Sequence, residues 1–340
     1  MPRCFRLPWS WPARFAPRGR RVPLWLAEAA LVVAWSSGFV GARYAVDHAP
    51  AFLVVFWRCV CVSALLLPWA LAGLRRASAR ALAAQALAAQ AGIGLLAMAG
   101  YLAGVVKGVE LGVPAALAAL IADLLPLGTA LLGALFLRRR IGRRVWAGLL
   151  VGLAGVLLVT QGALAWGDAP TVAYALPVLG MLSLAVATLW RQEQAERGAP
   201  GLAAGLWLQC VATGAAFAVL AGMEGGLAPP LSYGFAVSVA WTALLSTLGG
   251  YGLYWACLRR SSATRVASVL YLSPGVTAVW AWAMFDEPLT GSMAAGFAIS
   301  AAGILLVVRG EPAAAPPGRP ARRDMARPPG CGASFRAGKP

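Results

Sequence analysis

Asp123 interrupts an apolar run over residues 113–137 and lies about ten residues into it. With a helical rise of about 1.5 Å per residue, its carboxylate would sit roughly 15 Å along the run, near the centre of a hydrocarbon layer about 30 Å thick. A carboxylate at that depth is costly and reads as functional, either as a proton carrier or as the partner of a substrate amine. The plainer alternative is one half of a buried structural pair. Arg58 lies in the run 51–74, roughly 10 Å deep by the same rise. The two depths allow Arg58 and Asp123 to meet, as a permanent clamp between helices or as a link for which a substrate or proton competes.

Trp35, Ser36 and Ser37 fall in the middle of another apolar run, beside Gly38 and Gly41. An indole N–H seeks a partner, so a tryptophan with hydroxyls beside it can form an amphipathic cavity wall. The competing reading is close helix packing, with each serine bonding back to its own helix. Tyr101, Tyr251, Tyr254, Trp255 and Tyr271 are further candidates for that wall or for ordinary core positions, and Tyr101 and Tyr271 are taken as site residues. Pro126 and Pro274 each remove one backbone hydrogen bond and predict kinks close to the same region. Glycines at 148, 152 and 155, with Gly296, Ser300 and Gly303, form small-residue stripes suited to helix contact. Glu28 and Arg43 lie near span ends, where long side chains reach the interface, and Lys107 with Glu110 can pair at i, i+3. Nothing in the sequence has the spacing of a metal site, a nucleophile triad or a phosphate loop, so no cofactor is expected.

The elements that position these residues follow from composition. Of 340 residues 60% are hydrophobic and 12% charged, about half the charged share of a soluble domain. Apolar stretches recur from residue 24 to residue 308, and each needs about 20 residues to cross as a helix. Lipid offers no partner for unpaired backbone groups, so the fold class is an all-α integral membrane protein with ten spans. Residues 1–23 form a basic leader and residues 310–340 a Pro/Arg-rich tail, both expected to be disordered. Six cysteines without paired spacing read as packing residues.

A net charge of +17 would suggest nucleic acid in a soluble protein. Here the positive residues are confined to alternate loops and the two ends, which hold 26 of the 29 lysines and arginines. The opposite loops hold Asp47, Glu110, Asp168, Glu224, Asp286 and Glu287. The imbalance puts both termini in the cytoplasm and requires an even number of spans.

Sliding the chain along itself by 148 residues superposes 147–162 on 295–310 with eight identities in sixteen positions. The same offset matches Pro126 with Pro274 and Arg43 with Arg191. The chain is therefore two copies of one unit, residues 24–162 and 172–308. Five spans per copy is odd, so the copies enter the membrane in opposite directions. Inverted repeats are a transporter architecture, with the binding site near the midplane between the halves.

The segment Ala34-Trp35-Ser36-Ser37-Gly38-Phe39-Val40-Gly41-Ala42-Arg43, the Phe56-Trp57-Arg58 triplet after Pro50 and the paired repeat endings resemble the EamA family of the drug/metabolite transporter superfamily. The resemblance implies a carrier exporting amino acids, metabolites or toxic compounds through a central cavity, often coupled to protons, with the final helix of each copy peripheral. Leu206 stands where the second copy would match Arg58.

The expected function is export of a small-molecule substrate by alternating access, with protons and the lipid bilayer as further partners and no nucleic acid. The expected location is the plasma (inner) membrane. An uncoupled facilitator of the same fold is the near alternative. A membrane-embedded lipid-modifying enzyme would need a polar catalytic cluster, against which the single histidine and few buried acids argue. Whether the chain acts as a monomer or a homodimer stays open.

Overall fold

The computed structural model of the protein describes residues 22–77, 84–113, 115–137, 141–160, 169–196, 201–285 and 291–310. Asp168, Asp286, Glu287 and the expected disorder of the leader before residue 22 and of the tail after residue 310 fall outside the described residues.

Every regular element among the described residues is helical. Helix α1 spans Leu24–Val46 and α2 spans Ala51–Arg75, each entered from a proline, Pro23 and Pro50, whose fixed φ suits a helix start. Helix α3 covers Ala84–Glu110 and contains a π segment, Leu95–Gly100. Helix α4 is in two pieces, α4a (Ala115–Ala122) and α4b (Leu125–Phe136), and α5 spans Arg143–Thr160. The second copy repeats this succession: α6 (Thr171–Glu196), α7 (Leu202–Glu224), α8 (Tyr233–Leu258), α9 (Ala263–Phe285) and α10 (Gly291–Gly310). Seven of these helices, α1, α2, α3, α6, α7, α8 and α9, are long and apolar enough to cross a membrane. Outward-facing Trp25, Leu135, Phe136 and Met223 are largely exposed, as hydrocarbon solvent permits.

The interruptions recur at the same places in both copies. The π segment of α3 has its counterpart in α8, over Thr242–Tyr251. The gap in α4 at Asp123 and Leu124, just before Pro126, has its counterpart in the 3-10 turn Leu270–Leu272 just before Pro274. A change of helical register leaves carbonyls without their usual amide partners, and in lipid those groups must be satisfied from elsewhere. Around the α3 π segment the donors are hydroxyls of the other copy. Ser183 donates to the Leu96 carbonyl (2.7 Å), Thr213 to that of Gly94 (3.1 Å) and Tyr251 to that of Ala97 (2.8 Å).

The two copies are interleaved. The first helix of each packs against the third helix of the other: α1 lies on α8, and α6 lies on α3. Gly38 faces Ser246, Gly41 faces Trp241 and Ala34 faces Gly249, so α1 and α8 run antiparallel. Helices α2 and α7 are also antiparallel, with Phe52 against Phe217 and the Trp207 indole donating to the Ser63 carbonyl (3.0 Å). The final helices α5 and α10 pack together: Gly148 meets Gly303, Gly155 meets Gly296, and Ser300 donates to the Gly152 carbonyl (3.4 Å). A Cβ on Gly148 or Gly303 would press on the backbone opposite, which is the close approach that glycine permits.

Arg191 is a correction to the loop count. It lies inside α6, is 3% exposed, and bonds to the Gln90 side-chain oxygen. Its guanidinium lies over the Trp255 ring, 5.5 Å from the centroid. A planar cation with an aromatic face and an amide oxygen can be buried where a loop charge would remain in water.

Candidate functional site

Helices α1, α2, α3 and α8 line a narrow, partly open cavity of about 40 Å³. Trp35 and Tyr101 form part of its inner wall with Tyr251, and Arg58 projects from α2. From there the wall continues along Ala42, Ala45, Val54 and Val106 to Ala51, beside the turn that joins α1 to α2. The cavity thus reaches the end of the bundle marked by Lys107. A mostly apolar wall with a few placed polar groups is the lining typical of small-molecule sites.

Trp35 is the centre of an aromatic cluster, with ring centroids 5.8 Å from Tyr101 and 5.3 Å from both Tyr251 and Tyr254. Such contacts each add about 0.5–1.5 kcal/mol beyond area burial and fix ring orientation. Arg58 is 3% exposed. Its Nε donates to Thr247 Oγ1 at 2.5 Å, and Thr247 donates onward to the Thr242 carbonyl at 3.1 Å. Arg58 Nη2 is buried without a hydrogen-bond partner.

Asp123 is buried in the gap between α4a and α4b, and its Oδ2 has no hydrogen-bond partner. Among the described residues no ion pair joins it to Arg58, whose guanidinium is turned to Thr247 instead. Asp123 lies within electrostatic reach of the Tyr101 and Tyr271 hydroxyls. It does not itself line the cavity.

Ser36, Ser37 and Tyr271 stand outside the cavity wall. Ser36 bridges α1 to α9, donating to the Ser273 carbonyl at 3.1 Å next to Pro274, and Ser37 donates to the Ala34 carbonyl at 2.6 Å. Tyr271 donates to the Leu149 carbonyl at 3.3 Å and so ties α9 to α5.

The cavity's inner end is closed by packed side chains. Beneath Trp35 lie the fully buried Tyr254 and Trp255. The Trp255 indole donates to Gln209 Oε1 (3.0 Å), and Gln209 Nε2 donates to the Gln90 oxygen (3.1 Å) that also accepts from Arg191. Nearer the surface, Arg265 on α9 pairs with Glu28 on α1 through Nε and Nη2, at 2.9 and 3.3 Å. At the opposite end, Lys107 lies 2.6 Å from both Glu110 and Glu224 and over the Phe52 ring.

Thr242, Ser246, Thr247, Gln90 and Gln209 are not among the residues that the sequence marks out. A signal exists: Ser238, Thr242 and Ser246 recur every fourth residue, one hydroxyl face on an apolar helix, and each glutamine interrupts an apolar run.

A bundle of apolar helices in two related halves, with a largely apolar cavity where they meet, is the build of a multi-pass membrane transporter. The profile of the EamA-like transporter family matches residues 24–161 and again residues 171–309, and the chain belongs to that family. A search of curated proteins returns no match. A crystal structure described only as that of a protein is similar over 84% of this chain and 96% of that one, with a TM-score of 0.66 at 19% identity; that likeness concerns the fold.

Proposed function

We propose that this protein exports small organic solutes by alternating access, using the cavity beside Trp35 and Arg58 as its substrate chamber. The observation that carries the reading is the difference between the two ends of the bundle. Polar contacts link the copies at both ends, Lys107 with Glu224 at one and Glu28 with Arg265 and Arg191 with Gln90 at the other, but the chamber lining extends toward the Lys107 end and packed side chains fill the Arg265 end. A carrier needs a seal that can open and re-form, and a few hydrogen-bonded links across a repeat boundary suit that use.

Three shorter segments, α4, α5 and α10, complete the set of ten spans in this proposal. Helix α4 is the counterpart of α9, which is long enough to cross, and α5 and α10 are counterparts of each other. The basic loops then place the Arg265 end and both termini in the cytoplasm, so that the chamber faces outward. The bilayer is the plasma (inner) membrane.

Asp123 is the proton site in this scheme. Its carboxylate is buried beside a helix gap, and Tyr101 stands in the cavity wall within its electrostatic reach. Gain or loss of its charge would act on the backbone interruption and on the chamber together.

The test is transport by purified protein in liposomes loaded with a pH-sensitive dye, with pooled amino acids, organic acids and organic cations as candidate solutes. Substrate-driven proton flux in the wild type, lost in Asp123→Asn while binding persists, is the expected result. Absence of both proton flux and counterflow for every pool would refute the reading.

A further inference from the structure

We infer that the cavity takes an organic anion, whose charged end meets Arg58 and whose apolar body lies against Trp35, Tyr101 and Tyr251. The inference rests on the cavity's being the substrate chamber and adds the charge class of what enters it.

A guanidinium carries five N–H donors in a fixed plane. In this protein one of them, on Nε, is committed to Thr247, and Thr247 is itself anchored to the Thr242 carbonyl. That anchoring fixes the plane of the group. Nη2 stays buried with nothing to donate to, at a residue that forms part of the cavity wall. A buried cation without a counter-charge is strongly unfavourable, by several kcal/mol in general, so its presence calls for a partner.

Among the described residues no acidic side chain lines the cavity. Among the described residues Asp123 makes no ion pair with Arg58, and its Oδ2 is buried without a partner at the α4 gap. Glu110 and Glu224 are occupied at the rim by Lys107. With no counter-charge beside it among the described residues, the partner that fits is a molecule that enters. A carboxylate or sulfonate matches the guanidinium fork. The rest of the wall is aromatic and aliphatic, with hydroxyls of Thr242 and Ser246 beside it, which excludes a bare inorganic anion as the best fit and favours one with a flat or branched apolar body.

The charge is also unrepeated. Leu206 occupies the equivalent place in the second copy, and among the described residues Arg58 is the one cation in the chamber wall, so a ligand would bind in one orientation.

Three probes with one body separate charge from shape: 3-phenylpropionate, 3-phenylpropionamide and 3-phenylpropylamine, titrated into the purified full-length protein in nanodiscs by calorimetry. A hydrogen-bonded charge pair is worth about 1.5–3 kcal/mol, so the acid should bind roughly 10- to 100-fold more tightly than the amide, and the amine more weakly still. Arg58→Gln should bring acid and amide to equal affinity, and Arg58→Lys should keep part of the preference. Melting temperatures of both variants verify that they are folded; should Arg58→Gln not fold, Arg58→Lys and the wild-type ranking decide. Equal or tighter binding of the amine, an acid preference that survives in folded Arg58→Gln, or no saturable binding of the acid would overturn the inference. These outcomes leave the transporter reading intact if solutes still move in liposomes, and a liposome failure with acid binding intact would do the reverse.

Discussion

Asp123 and Tyr271 are one position in two copies, 148 residues apart, each in the helix interruption three residues before a proline, Pro126 or Pro274. In the second copy the position is a strut, since the Tyr271 hydroxyl bonds to the Leu149 carbonyl on α5. In the first it holds a carboxylate with an unpartnered oxygen. Of the two equivalent gaps, one is braced by a hydroxyl and the other holds a group that can change its charge.

Asp123→Asn keeps the shape of that gap and removes the proton. Dye-reported proton flux driven by substrate should fall to background, with calorimetric affinity for the same substrate unchanged. Full flux in the variant would remove Asp123 from coupling.

Tyr251→Phe deletes the donor to the Ala97 carbonyl without altering ring packing. A buried carbonyl left without its partner costs about 1–3 kcal/mol, so the melting temperature in detergent should drop. An unchanged value would mean that the α3 π segment finds another donor.

Glu28→Gln removes one charge of the pair that joins α1 to α9. A hydrogen bond to a charged group contributes roughly 1.5–3 kcal/mol, so the sealed end should open more often. Spin labels at Val22 and Arg259, in a background without native cysteines, should report a larger population of long distances by double electron–electron resonance. Identical distributions would show that the Arg191 cluster closes this end alone.

Gly152→Leu drives a side chain from α5 against α9, where a Cβ would already meet the Tyr271 ring. Overpacking of this kind costs about 1–3 kcal/mol, visible as lower thermal stability. Gly291→Ala, at the start of α10 with open space around it, should leave stability unchanged or slightly raised, because it narrows the unfolded ensemble. Equal behaviour of the two would argue that α5 and α9 do not pack tightly in the membrane.

The two-copy organisation was legible in the chain because lipid constrains composition so strongly and because the final helices of the copies retain eight identities. The apolar run over 51–74 agrees with α2. The cavity was less legible. Trp35, Arg58 and Tyr101 were marked by their rarity at such depth, yet nothing in one-dimensional spacing told which side of a helix faces the chamber and which faces a neighbour. Ser36 illustrates the difficulty: one residue along from Trp35, it turns away to bond Ser273. The glutamine cluster escaped notice because Gln90, Gln209 and Arg191 come from three separate helices and gain meaning only when they meet.

The α5–α10 seam has a symmetry written in its contacts. Position 148 touches 303 and position 155 touches 296, while the repeat equates 148 with 296 and 155 with 303. That exchange of partners is the signature of an isologous interface, the contact two identical subunits make across a two-fold axis. The seam is therefore paired as a two-fold axis between the copies would pair it. Holding both copies in one polypeptide makes that association intramolecular, so it does not depend on how much protein the membrane holds. It also lets each half differ from the other, which is how a chamber with a single arginine can lie between symmetrically paired copies.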